Sequence, residues 1–315
     1  MSSEADPEDL PWLIDLDQFV DGQDHEGVDE FVVRSNNSST ALNEATALDL
    51  LEAAGLASQQ AVSVRFSVNG SDETLRLVIE NLDGSWVDAW FGTDGSLYKA
   101  ESSGDYSYRG DDATAYEDVF DLEAGDDESL THLTDFLAFI NESDDETFAA
   151  DLDQHLDVDG FATYLAMMEL LGNGDDIDGP GNNSYLYFDP VTGLMSVVPW
   201  DMNLALGVGM GGGGGGGGMG GGGGMGGGPP GGGGGGGGRG FGGGANVLVE
   251  RFLEVDEFAA AYENALETLQ ADLVDSGLAQ DLVAERVAIL QDQASDLVDT
   301  ATVESEADAV IEALS

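Results

Sequence analysis

Residues 172–207 read GNGDDIDGPGNNSYLYFDPVTGLMSVVPWDMNLALG, and this stretch decides what kind of fold the chain can adopt. Tyr185 to Phe188 is an apolar, aromatic run of strand type. Asp189-Pro-Val-Thr-Gly193 is turn chemistry, and Leu194 to Val198 is the returning strand. A hairpin built this way has Asn183 at its entrance and Asp201 just past its exit. It therefore brings together two residues that are distant along the chain.

Asp178 stands five residues before Asn183, so the order of polar groups is aspartate, asparagine, hairpin, aspartate. Mg²⁺ takes oxygen ligands from one or two carboxylates and completes its shell with phosphate and water. Phosphoryl transfer builds charge on phosphate oxygens, which such a cation neutralises. The same order occurs in protein kinases. There the first Asp accepts the proton of the acceptor hydroxyl, and the Asn and the last Asp hold the metal. In a chain this rich in aspartate the bare D-x-x-x-x-N spacing carries little weight, because it arises by chance.

Working outward, Val62, Val64, Phe66 and Val68 alternate with Ser63, Arg65 and Ser67 at the period of a half-buried strand. Asn69-Gly70 predicts a hairpin turn, and Leu75 to Glu80 the second strand. Phe31-Val-Val-Arg34 predicts a short strand. Asn36 to Thr40 predicts polar caps for a helix over 41–54, ended by Gly55. Ser96 to Lys99 predicts another strand, and from about Glu117 the pattern turns helical, best over 130–140 and 160–171. The expected fold class is α+β. Its parts are a disordered tail over 1–11, a strand-rich part over 12–110 and a helical part with the hairpin over 111–206. A flexible glycine-rich, low-complexity linker over 207–244 follows, then two or three C-terminal helices over 245–315 that pack on the helical part.

Further blocks run in a recognisable order: Leu156-Asp-Val-Asp-Gly-Phe-Ala-Thr-Tyr-Leu165, Glu169-Leu-Leu-Gly-Asn173, Asn182 to Pro190 and Val198-Pro-Trp-Asp-Met-Asn203. Together they resemble the spore-coat protein H (CotH) kinase family over about residues 12 to 310, with 169–207 the most specific part. The resemblance implies a divergent, bilobal protein-kinase-like fold. It also implies an atypical kinase that uses Mg²⁺ and ATP to phosphorylate Ser or Thr of coat or surface proteins, in a secreted or cell-surface setting. It assigns Asn183 and Asp201 as metal ligands. For the base it leaves two candidates: Asp175, which follows Gly-Asn as the family aspartate does, and Asp178, which has the right distance to Asn183 and Asp201. Lys99, the one lysine of the chain, is a candidate for the phosphates or else a surface lysine; Glu44 is either its partner or an exposed helix charge, and Glu80 either faces the cleft or ends the strand in solvent. Relatives of this kind carry further strands and basic residues upstream, whereas no Lys or Arg precedes Arg34 here. The alternative expectation is therefore a non-catalytic CotH-like surface or coat interaction protein.

Composition sets the outer bounds. Asp and Glu number 63 against 8 Lys and Arg, a formal charge of −55 spread along the whole chain. Such a charge pushes a compact state apart in dilute buffer, and molar salt removes the repulsion, so a salt-adapted, halophile protein is expected. With 42% hydrophobic residues the chain can still build a core. A nucleic-acid partner is excluded, since phosphate contacts need a basic patch. The absence of cysteine excludes disulfides and thiolate chemistry. His25, His132 and His155 are too scattered to predict a zinc site. The first ten residues lack the basic and apolar regions of a signal peptide, and no apolar run approaches the ~18 residues of a membrane span. Oligomeric state and compartment are not legible in the sequence.

Overall fold

The computed structural model describes residues 6–93, 95–101, 105–125, 130–178, 183–207 and 246–315. The first antiparallel sheet holds β1 (Trp12–Asp15), β2 (Glu30–Val33), β3 (Ala61–Phe66) and β4 (Thr74–Glu80), in the order β1-β2-β4-β3. β3 and β4 form the expected hairpin, Ala61 opposite Ile79 and Phe66 opposite Thr74. Asn69 (φ 54°) and Gly70 (φ 86°) supply the left-handed turn that Asn-Gly allows.

Between β2 and β3 runs α1 (Leu42–Ala53). Its sequence suggests one apolar face, yet nearly every residue from Leu42 to Leu51 is buried. The cause is a second layer: α8 (Leu278–Gln293) and α9 (Thr300–Ala313) pack against α1 from outside the sheet. A helix covered on both sides is buried all round, whatever its periodicity.

The second sheet is also antiparallel and holds β5 (Ser96–Ala100), β6 (Phe120–Ala124), β7 (Ser184–Asp189) and β8 (Leu194–Pro199), in the order β6-β5-β7-β8. One face carries Leu97, Tyr185, Tyr187 and Val198 against Trp86 and Val87 of α2 (Gly84–Phe91). The other carries Tyr98, Ala100, Leu186 and Val197 into the main core. Helices α3 (Thr131–Glu142), α4 (Asp145–Asp151), α5 (Val158–Leu170), α6 (Val247–Glu254) and α7 (Asp256–Leu269) complete that core, with Phe161 of α5 edge-on to Phe252 of α6. Among the described residues no helix is long and apolar enough to cross a membrane.

Four expectations are corrected. Phe120–Ala124 is a strand, not part of a helical run; Phe120, Leu122 and Ala124 alternate with Asp121 and Glu123, a period-two signal only five residues long. The helices α2 and α4 were not expected, though each has an aspartate cap: Asp83 accepts from the Trp86 N–H and Asp144 from the Thr147 N–H, both at 2.8 Å. The region after 245 holds four helices rather than two or three. Pro7–Asp9, expected within the disordered tail, is a 3₁₀ turn, and Arg76 donates to the carbonyls of Glu8 (2.9 Å) and Leu10 (2.7 Å). The expected glycine-rich linker lies, from residue 208 on, outside the described residues.

The few arginines tie distant segments together. Arg65 on β3 reaches Asp296 between α8 and α9 (2.7 Å), and Arg286 on α8 grips Asp49 of α1 (2.6 Å). Arg251 on α6 donates to the Ile140 carbonyl at the end of α3 (2.8 Å) and lies over the Phe148 ring. In a chain short of cations, each of these arginines bridges elements far apart in sequence.

Candidate active site

The end of β2 is locked from both sides of its last peptide. The Arg34 N–H donates to the Leu77 carbonyl (2.8 Å), and the Arg34 carbonyl accepts from Arg76 Nε (2.6 Å). The Arg34 side chain then lies between two carboxylates. Its Nε is 2.8 Å from Glu44 Oε1 in the first turn of α1, and its Nη2 pairs with Asp201. Arg34 is 12% and Glu44 3% exposed, against 26% for Asp201, so the pair is buried and opens to solvent at the aspartate. Burial opposes the charged guanidinium, but Glu44 and Asp201 outweigh it and the Arg34 pKa is raised. Burial raises Glu44, and Asp201 adds to this while Arg34 opposes it.

Asp201 follows β8 in a left-handed conformation, φ 56° and ψ 63°, and leads into a 3₁₀ turn over Met202–Leu204. A non-glycine residue held there is strained and persists only where its surroundings over-determine it. Here they do: Asn43 of α1 donates to the carbonyls of Asn203 (2.9 Å) and Ala205 (3.3 Å), and the Leu206 N–H donates to the Leu171 carbonyl (2.8 Å).

The loop after α5 supplies the other groups. Buried Asn173 accepts from the Asp175 N–H (3.3 Å), and Asn183 Nδ2 donates to the Asp175 carbonyl (3.1 Å). Asn183 is left-handed as well, φ 56°. Burial raises the Asp175 pKa, the charge of Asp201 raises it further, and a hydrogen bond from Asn183 works against both. Asp175, Asn183 and Asp201 therefore meet at the open end of the β7–β8 hairpin.

The other expected residues lie elsewhere. Asp178 donates its N–H to Asp176 (3.0 Å) and lies on the side of the loop facing the buried Tyr164, whose pKa it helps to raise. Lys99 is on β5 opposite Tyr185, between Glu101 (3.5 Å) and Glu123 (3.6 Å). The expected Glu44–Lys99 pair is thus replaced by Glu44–Arg34, because β5 belongs to the second sheet while α1 packs beside the first. Glu80 has a partner of its own. It accepts from the Gln60 N–H (2.8 Å) and sits opposite Phe31, three residues along β4 from Leu77, roughly 10 Å away. The residue that sequence reasoning missed is Arg34. Its signal was an apolar strand run closing on a cation just before the helix that carries Glu44.

Two carboxylates and an amide suit a hard divalent cation that completes its shell with phosphates. The mutual repulsion of Asp175 and Asp201 is the charge such an ion relieves. Among the described residues no three His, Cys, Asp or Glu side chains converge to form an all-protein cage.

Two predictions follow from these burials. Arg34→Met should cost about 3–5 kcal/mol, because it leaves the Glu44 carboxyl without its partner in the core, and Arg34→Met/Glu44→Met should recover most of that loss. Chemical denaturation in molar KCl measures both; a single-variant loss under about 1 kcal/mol would contradict the assignment. The second concerns pH. Glu30, Glu44, Glu80 and Asp175 have pKa values raised mainly by burial. A raised acid contributes stability below its unfolded pKa and loses it as pH rises through the folded value. Stability at fixed salt should therefore rise as pH falls from neutrality toward the ordinary carboxylate range. It should fall again in stronger acid, where Glu306 and Asp299, held low by their hydrogen bonds, become protonated. Melting curves across that range check the sign.

The profile of the family described as CotH kinase protein matches residues 4–307. The inner spore coat protein H of Bacillus subtilis (strain 168) is 26% identical over 230 residues, covering 71% of this chain and 57% of that protein. The chain thus spans little more than half the length of that curated relative.

Proposed function

Because the chain belongs to the CotH kinase protein family, we propose that it transfers the γ-phosphate of ATP to a Ser or Thr hydroxyl of a coat- or surface-type protein. The observation that carries this reading is the convergence of Arg34, Glu44, Asp175, Asn183 and Asp201. In protein kinases a strand lysine pairs with a helix glutamate, a catalytic-loop Asp and Asn follow, and the Asp after the next hairpin binds metal. Here the chain order is Arg34 directly after a strand, Glu44 on a helix, Asp175 and Asn183 on a loop, then Asp201 after the β7–β8 hairpin. Phe31-Val-Val-Arg34 stands where kinases carry V-A-I-K, with arginine replacing lysine. This order supports a kinase-like bilobal arrangement, the first sheet with α1 on one side of the site and the second sheet with the helical core on the other.

The residues have separable tasks. Asp175 accepts the proton of the acceptor hydroxyl as its oxygen bonds to the γ-phosphorus. The bond from that phosphorus to the bridging oxygen breaks, and ADP leaves with the electron pair. Asn183 holds the loop that carries Asp175, and its amide oxygen would serve with Asp201 as a metal ligand. Mg²⁺, bound by Asp201 and Asn183, would neutralise charge on the phosphate oxygens. Arg34 fixes the Asp201 carboxylate from behind, and Glu44 fixes Arg34. The name of the Bacillus relative supports a coat protein as acceptor. The composition supports activity at molar salt.

Incubation with γ-labelled ATP, Mg²⁺ and acceptor protein in molar KCl tests the proposal. Label should enter Ser or Thr. The rate should fall with acidification through a value above the ordinary 3.8 of aspartate, since protonated Asp175 cannot accept. No incorporation into any acceptor, nor into the chain itself, at any salt would remove the reading.

A further inference from the structure

We infer that Glu306 of α9 is a positioning residue for this site, acting through the link that joins Arg34 to Glu44. The inference rests on the phosphoryl-transfer reading above. Residues 35–41 connect the two partners of the buried ion pair, and α1 begins without a side-chain cap, its first flanking residue Ala41 at φ 53°. The missing acceptor comes from the far end of the chain. Glu306 Oε1 accepts from the Ser39 N–H (2.9 Å), and Oε2 accepts from Ser38 Oγ (2.8 Å), the Thr40 N–H (3.0 Å) and Thr40 Oγ1. Those hydroxyls in turn accept from the entry to α1: Ser38 Oγ from the flanking Ala41 N–H (3.0 Å) and Thr40 Oγ1 from the N–H of Leu42, the first helical residue (3.2 Å).

One carboxylate therefore organises the whole start of α1, where its charge also meets the positive end of the helix. Further along the helix, Arg286 of α8 grips Asp49. Asn43 and Glu44 lie directly after the organised turn, and they are the residues that hold the 203–205 segment and Arg34. A shift of α1 would loosen both contacts together and release Asp201. In kinases the placement of the equivalent helix controls activity. Here α8 and α9 hold α1 through these contacts.

The test compares the parent with Glu306→Gln, which keeps volume and loses charge, and with Ser38→Ala should the first fold poorly. Arg251→Gln serves as the control, since it loosens α6 without touching α1. With saturating ATP and acceptor in molar KCl, Glu306→Gln should lower kcat about 10–100-fold with both KM values within about twofold. Arg251→Gln should keep kcat at a matched loss of Tm. Hydrogen exchange should rise at residues 41–45 and 201–206 in Glu306→Gln and stay unchanged in α3 and α6. A kcat within about twofold of the parent, or an equal fall in Arg251→Gln, overturns the inference while leaving the transferase reading intact. Should the parent transfer no phosphate, that reading fails by itself, and unchanged exchange at 201–206 in Glu306→Gln then overturns the positioning claim.

Discussion

Asp201→Asn should reduce phosphate transfer by about 10²–10³-fold while leaving the fold in place. The substitution keeps the side chain's shape and one oxygen for Arg34, so the contact behind the site survives in neutral form. What it removes is the charge that would hold the cation against the phosphates. That interaction acts on the developing charge of the transition state, and each 1.36 kcal/mol lost there is about tenfold in rate. A second readout separates this from general damage. Asp201 is one of the two causes that raise the Asp175 pKa, the other and larger being burial. The acid limb of the residual rate should therefore move toward lower pH in Asp201→Asn. Label incorporation across a pH series, with a melting curve on the same protein, measures both. Incorporation equal to the parent would show that Asp201 is not a ligand of the reacting complex.

The second large effect concerns salt. In dilute buffer, repulsion among the carboxylates should dominate stability, because the formal charge of −55 sits on a body only tens of Å across. At 1 M salt the range of that repulsion shrinks to about 3 Å. The tertiary fold should be lost below a few tenths molar KCl and regained above about 1 M. Hydrophobic burial in the two cores remains the main drive at every salt concentration. The buried Arg34–Glu44 pair should resist screening, while the exposed Arg65–Asp296 contact should not. Mg²⁺ should stabilise at far lower concentration than KCl, and Asp201→Asn should blunt that effect. Melting temperatures across a KCl series decide the matter, and a flat profile from about 0.05 to 2 M would end the salt-adapted reading.

Much of this architecture was legible because its signals are short-range. The β3–β4 hairpin, the stop of α1 at Gly55 and the β7–β8 hairpin each rest on alternation or turn chemistry within some twenty residues, whereas the start of α1 lacks the expected side-chain cap and leans on distant Glu306. The chain order Asp178, Asn183, hairpin, Asp201 could be read for the same reason, whereas Asp175 entered only through the family resemblance. What was not legible depends on distant pairing. Nothing local in Ser96–Lys99 says that it pairs with both β6 and β7, and that pairing is what carries Lys99 away from Glu44. The match of Arg34 to Asp201 spans 167 positions. The cation that meets Glu44 is therefore Arg34 and not the single lysine. The burial of α1 on all sides depends on α8 and α9, more than two hundred residues later.

Trypsin cuts only after lysine and arginine, and this chain offers it eight such residues. Arg34, Arg76, Arg251 and Arg286 are largely buried in contacts between distant segments. A protease that needs those side chains in its own pocket must wait for the segments to part. Cleavage at these four positions thus reports separation of the parts they join, and the order in which the fragments appear gives the order in which the molecule comes undone.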